Sequence, residues 1–146
     1  MTISKTLSKS SRHFWLGWIP FWVYSAVVFE GAILPGTAVP AFFASSVNDK
    51  LFHAGEYFLL FLLASNAFRK AKKAWLQNSP AGWAMIYCVL LGAGTEAIQF
   101  VVPGRFAELG DWMADTAGAL GGLVCLKVMT SFLRVPVKES GRHGNF

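Results

Sequence analysis

Four apolar stretches, each long enough to cross a bilayer, follow one another with only short polar segments between them. A membrane-spanning helix needs about 20 predominantly apolar residues. Four such helices take up more than half of a 146-residue chain and leave no room for a separate soluble domain. The expected architecture is therefore all-α and polytopic: four transmembrane helices in a compact bundle, with residues 1–146 forming one membrane domain. The expected spans are 14–34, 49–68, 80–102 and 111–133. Composition agrees, with 54% hydrophobic and only 14% charged residues, against about 25% charged in soluble domains.

The first run, Phe14 to Leu34, follows a basic, Ser-rich N-terminus, as a secretory signal would. It is longer than the apolar core of a signal, lacks an A-x-A-like exit, and ends in Glu30, Gly31 and Pro35. It reads as a retained span. Trp15, Trp18 and Trp22 at its start suit an interfacial belt, as do Trp75, Trp83 and Trp112 elsewhere. The segment Pro35 to Asn48, with Pro35, Gly36, Pro40, Phe42 and Phe43, is too broken to span. It is expected to lie at the interface or re-enter it.

The charges divide by side. Eleven of the thirteen Lys and Arg residues fall in the N-terminus, the linker Arg69 to Ser79, and the end of the fourth span with its tail. Only Lys50 and Arg105 lie at the other end. Basic loops stay inside, so both termini are expected in the cytoplasm of a bacterial inner membrane. This clustering beside apolar spans explains the net charge of +5 by topology and anionic lipid rather than nucleic acid. Cys88 and Cys125 sit in apolar runs nearer the basic side and read as unpaired thiols. His13 and His143 lie in flanking segments and read as solvated.

Seven of the eight acids, Glu30, Asp49, Glu56, Glu96, Glu108, Asp111 and Asp115, gather toward the outer face. Acids contribute little to topology, so another cause is needed. At 1.5 Å per residue, Glu30, His53, Glu56, Glu96 and Asp115 all lie roughly 5 to 10 Å inside the outer end of a span. Lipid does not tolerate such groups, so they are expected to face the bundle interior. Spacing gives the faces. Asp49, His53 and Glu56 share one, with Tyr57 beside them, Glu96 and Gln99 another, and Asp111 and Asp115 a third that Gly118 and Gly122 continue. Small residues on that stripe, with Gly92, are expected to pack the third span closely against the fourth beneath Glu96 and Asp115.

The stretches DKLFHAGEY and GAGTEAIQFVVPGRFAELGDWMADTAGALGG resemble the VanZ-like family of small bacterial membrane proteins. The matching positions are Asp49, Lys50, His53, Glu96, Gln99, Arg105, Asp111, Asp115 and Gly118. Asp115 stands where many relatives carry Asn. The resemblance implies an integral protein of the cell envelope. Its founding member is associated with resistance to teicoplanin, a glycopeptide that acts outside the membrane.

Three readings of the cluster stand open at this stage. It could be a structural network that locks the bundle. It could bind or modify a phosphate-bearing envelope lipid at the outer leaflet, with Lys50 and Arg105 holding phosphate. Gln99, Asp49 and Asp111 would then line the site, while His53, Glu96 and Asp115 handle protons. It could relay protons in a small transporter, although no inverted repeat is visible. A divalent cation is a variant of the lipid reading, since His53 with Glu96, Asp111 and Asp115 offers mixed nitrogen and oxygen ligands, and seven acids face two bases. No close metal-ligand motif, G-x-S-x-G, H-E-x-x-H or Gly-rich nucleotide loop is present. The implied partners are membrane lipids, and self-association through the glycine stripe is a further option.

Overall fold

The computed structural model describes residues 9–38 and 46–133, with side chains from residue 13 and, after the gap, from residue 48. The chain forms α1 (Lys9–Ile33), a short 3₁₀ turn (Gly36–Ala38), α2 (Ser46–Arg69), a one-turn α3 (Ala74–Asn78), α4 (Pro80–Gln99) and α5 (Leu109–Leu133). No strand occurs among the described residues. Four helices are long and apolar enough to cross a membrane, over His13–Ile33, Asn48–Arg69, Pro80–Gln99 and Leu109–Leu133. Residues 39–45, which hold Pro40, Phe42 and Phe43 of the expected interfacial segment, lie outside the described residues.

Burial is inverted relative to a water-soluble bundle. His53, Thr95, Glu96, Gln99, Asp111 and Asp115 are buried, whereas Leu90, Leu120, Val124, Val128 and Phe132 are exposed. In lipid this is the favourable arrangement, because apolar side chains lose nothing by facing acyl chains and ionisable groups gain each other.

Helix α2 is the hub. It packs on α5, α4 and α1, while α1 meets α2 and α4 but has no contact with α5 among the described residues. The α2–α5 seam is set by small residues. A side-chain carbon on Gly118 would collide with the carbonyl of Ala54 on α2, and one on Gly122 would lie 2.8 Å from Phe61. The glycine stripe therefore serves α2, and the expectation that it packs the third span against the fourth is corrected. Gly92 does bring α4 against α5, since a carbon there would lie 2.9 Å from Asp115 Oδ2.

The two ends of the bundle differ. Toward the basic linker the core is aromatic, with Phe21, Phe68 and Tyr87 stacked edge-on (centroids 4.9 to 6.4 Å apart) and Trp18 beside them. Cys88 is buried in that core and Cys125 half-buried, both as free thiols. The opposite end is polar. There the 3₁₀ turn after α1 touches the α4–α5 turn: Gly36 N–H donates to the Pro103 carbonyl at 3.2 Å, and Gly36 lies against the backbone of Gly104. Gly104 has φ +73°, a left-handed conformation that glycine adopts at little cost.

Helix α1 differs from expectation in one respect. Its buried face runs through Phe21, Ser25, Val28 and Ala32. Glu30 is two residues from both Val28 and Ala32, roughly 200° around the helix. It is exposed rather than turned into the bundle.

Candidate functional site

The polar end is built from α2 outward. Asp49 and His53 lie one turn apart at the start of α2, so both face the bundle. Asp115, in the second turn of α5, meets His53 across the glycine-lined seam: His53 Nδ1 and Asp115 Oδ1 are 2.8 Å apart. Asp115 is only 1% exposed and His53 8%. With the carboxylate as acceptor, Nδ1 carries the hydrogen and Nε2 is left free. Nε2 lies 4.0 Å from Asp49 Oδ1, too far for a hydrogen bond.

Lys50, on the neighbouring face of α2, is engaged by α5 and the turn before it. Its Nζ is 2.7 Å from Asp111 Oδ1 and 3.3 Å from Glu108 Oε2. Asp111 is nearly fully buried, so this pairing supplies the counter-charge that a buried carboxylate requires. Glu96 serves the same turn. Its Oε2 accepts the Glu108 backbone N–H at 2.8 Å, satisfying a donor at the start of α5 that has no partner within the helix. Its Oε1, like Asp115 Oδ2, is buried with no hydrogen-bond partner. Glu96 forms no ion pair or hydrogen bond with His53 or Arg105 among the described residues.

A cavity of about 160 Å³ opens between α1, α2 and α4 at this end. Asp49, His53, Glu56, Gln99 and Arg105 give it a polar wall; Val28, Gly31, Ala32, Leu34 and Phe52 give it an apolar one. Among the described residues the Arg105 guanidinium has no hydrogen-bond or ion-pair partner. Glu96, Asp111, Asp115 and Lys50 stand behind the wall rather than in it. The candidate residues thus divide into a lining set (Asp49, His53, Gln99, Arg105) and a supporting set (Lys50, Glu96, Asp111, Asp115).

Tyr57, expected beside His53, lines the cavity and links α2 to α4 through Thr95, with their hydroxyls 3.3 Å apart. Two contributions lie outside the sequence reading, and the first is Thr95, for which no sequence signal exists. The apolar wall from α1 was also missed, because no charge marks it. The metal-ligand set differs as well. The side chains whose donor atoms lie within 4.8 Å of one another are Asp49, His53 and Asp111, whereas Glu96 and Asp115 do not join them.

A family model described as VanZ/LLP1 matches residues 2–130. No curated protein and no solved structure matches the chain.

Proposed function

The chain belongs to the VanZ/LLP1 family and is a multi-pass membrane protein, and from that premise we propose that its cavity recognises a phosphate-bearing envelope lipid presented from the outer leaflet. The observation that carries this reading is Arg105, whose guanidinium has no partner among the described residues and lines a cavity with one polar and one apolar wall. Guanidinium matches phosphate oxygens in bidentate geometry. Gln99 offers a neutral donor deeper in, and the α1 wall suits the first carbons of a lipid tail. The volume is close to that of an engineered cavity of about 150 Å³ that takes one benzene ring, so the phosphate and its nearest atoms fill it. Phe100, Val101, Phe106 and Leu109, all more than two-thirds exposed around the same turn, suit anchorage at headgroup depth.

The reading requires this end to face outward, with both termini in the cytoplasm of the inner membrane; the eleven-to-two division of basic residues supports it. It also gives the teicoplanin association of the family's founding member a physical route, since occupancy of an envelope lipid would alter what the drug meets outside the membrane. Any modification of the bound lipid would centre on His53, held by Asp115. A second reading, in which the polar residues only lock the bundle, is favoured by the Lys50–Asp111–Glu108 pairs. Native mass spectrometry of the full chain with phosphatidate separates the two. Arg105→Ala, which removes no hydrogen bond or ion pair of that side chain among the described residues, is expected to lose lipid retention at least tenfold with folding unchanged. Equal retention by the variant and the parent leaves only the structural reading.

A further inference from the structure

Six carboxylates, Asp49, Glu56, Glu96, Glu108, Asp111 and Asp115, stand at the polar end against two cations. An anionic headgroup entering there meets like charge, which disfavours binding. Lys50 does not relieve this, because it is already held by Asp111 and Glu108. Within the same cluster one imidazole nitrogen is left over. His53 is more than nine-tenths buried, its Nδ1 is taken by Asp115, and its Nε2 lies 4.0 Å from Asp49 Oδ1, beyond hydrogen-bond reach.

We infer that Asp49, the Nε2 of His53 and Asp111 form a binding site for a divalent transition-metal ion, which meets the phosphate oxygen of the ligand. It rests on the lipid reading only for the identity of that anion; the three ligands stand on their own geometry. Their donor atoms lie within 4.8 Å of one another. Donors bound at 2.0 to 2.6 Å from one ion are separated by at most about 4 to 5 Å, so little closure is needed. One nitrogen and two carboxylates suit Mn²⁺ or Zn²⁺ better than Ca²⁺. Asp111 gives Oδ1 to Lys50, and a carboxylate has a second oxygen with which to meet an ion. Three protein ligands leave coordination positions open, and two of them, Asp49 and His53, line the cavity while Asp111 stands behind its wall. Asp115 then has a defined job. A carboxylate on the far nitrogen of a ligating histidine fixes its tautomer and raises its basicity.

The test is a Mn²⁺ titration of the chelator-treated full chain in detergent, read by electron paramagnetic resonance. One saturable site is expected, with nitrogen coupling from a directly bound imidazole in the pulsed spectrum. Asp49→Asn, an isosteric change at a half-buried position, should weaken binding at least tenfold with the helical content unchanged by circular dichroism. His53→Gln should abolish the nitrogen coupling, and Asp115→Asn should weaken binding by about 10- to 100-fold. Absence of saturable binding below millimolar Mn²⁺, absence of nitrogen coupling, or parental affinity in Asp49→Asn each overturns the site. Phosphatidate retention measured on the same samples keeps the two proposals apart. Retention without a Mn²⁺ site refutes the ion and preserves the lipid reading. A Mn²⁺ site without retention does the reverse.

Discussion

Gly118→Ala tests the packing on which the whole polar end depends. A methyl group at residue 118 would overlap the Ala54 carbonyl oxygen and lie 2.7 Å from its carbon and 2.8 Å from its Cα. These are backbone atoms, so no rotamer change relieves the clash. Restoring carbon contacts of about 3.5 Å or more requires α2 and α5 to part by roughly 1 Å. The His53–Asp115 hydrogen bond, 2.8 Å long and one turn away, would stretch toward the roughly 3.5 Å at which it fails. Overpacking of this kind costs about 1–3 kcal/mol, while replacing Gly by Ala in a helix returns up to about 1 kcal/mol. The net expectation is a loss of about 1–2 kcal/mol, a factor of roughly 5 to 30 in the folded-to-unfolded ratio. The control is Gly121→Ala on the same helix, where the added carbon meets only Phe58, at an ordinary 3.5 Å. It should be neutral or slightly stabilising. Both are measured by reversible denaturation with SDS in mixed micelles, followed by tryptophan fluorescence. If Gly118→Ala is as stable as Gly121→Ala, the helices are not held at the described distance and the reasoning fails.

Two further outcomes are expected. Lys50→Ala should lower the thermal midpoint in detergent by stranding the buried Asp111 carboxylate, and adding Asp111→Asn to it should recover part of the loss; additive losses would show that the pair is not coupled. In a background lacking Cys88 and Cys125, a cysteine placed at Lys72 should resist impermeant thiol reagents in intact cells and react after lysis; labelling from outside would reverse the topology.

The membrane spans were legible because hydropathy in a helix of 20 or more residues is a strong signal, and 49–68 and 111–133 differ from the helices only by a few terminal residues. The third span was read through Val102, yet α4 stops at Gln99, because apolarity continues past the helix into the turn. The five-residue α3 sits in the linker and is too short to give a periodic pattern. In the site, helical spacing showed which residues share a face: Asp49 with His53, and Asp111 with Asp115. It could not show which helix a face meets. Lys50 was therefore expected at the ligand and is found on Asp111, Glu96 was expected beside His53 and is found on the Glu108 backbone, and Gly118 meets α2 rather than α4. Glu30 shows the same limit. Its depth followed from counting residues, but its direction depends on which side of α1 the neighbours occupy.

The contact between Gly36 and Gly104 has a mechanical consequence. Two glycines back to back, with one hydrogen bond from Gly36 to Pro103, join the end of α1 to the residue before Arg105. No side chain intervenes to bend or swing. Any ligand that draws Arg105 inward must therefore carry the end of α1 with it or break that bond. Because α1 supplies the apolar wall, this contact ties Arg105 to that wall, while Asp49, His53 and Glu56 of the polar wall stand on α2 outside it.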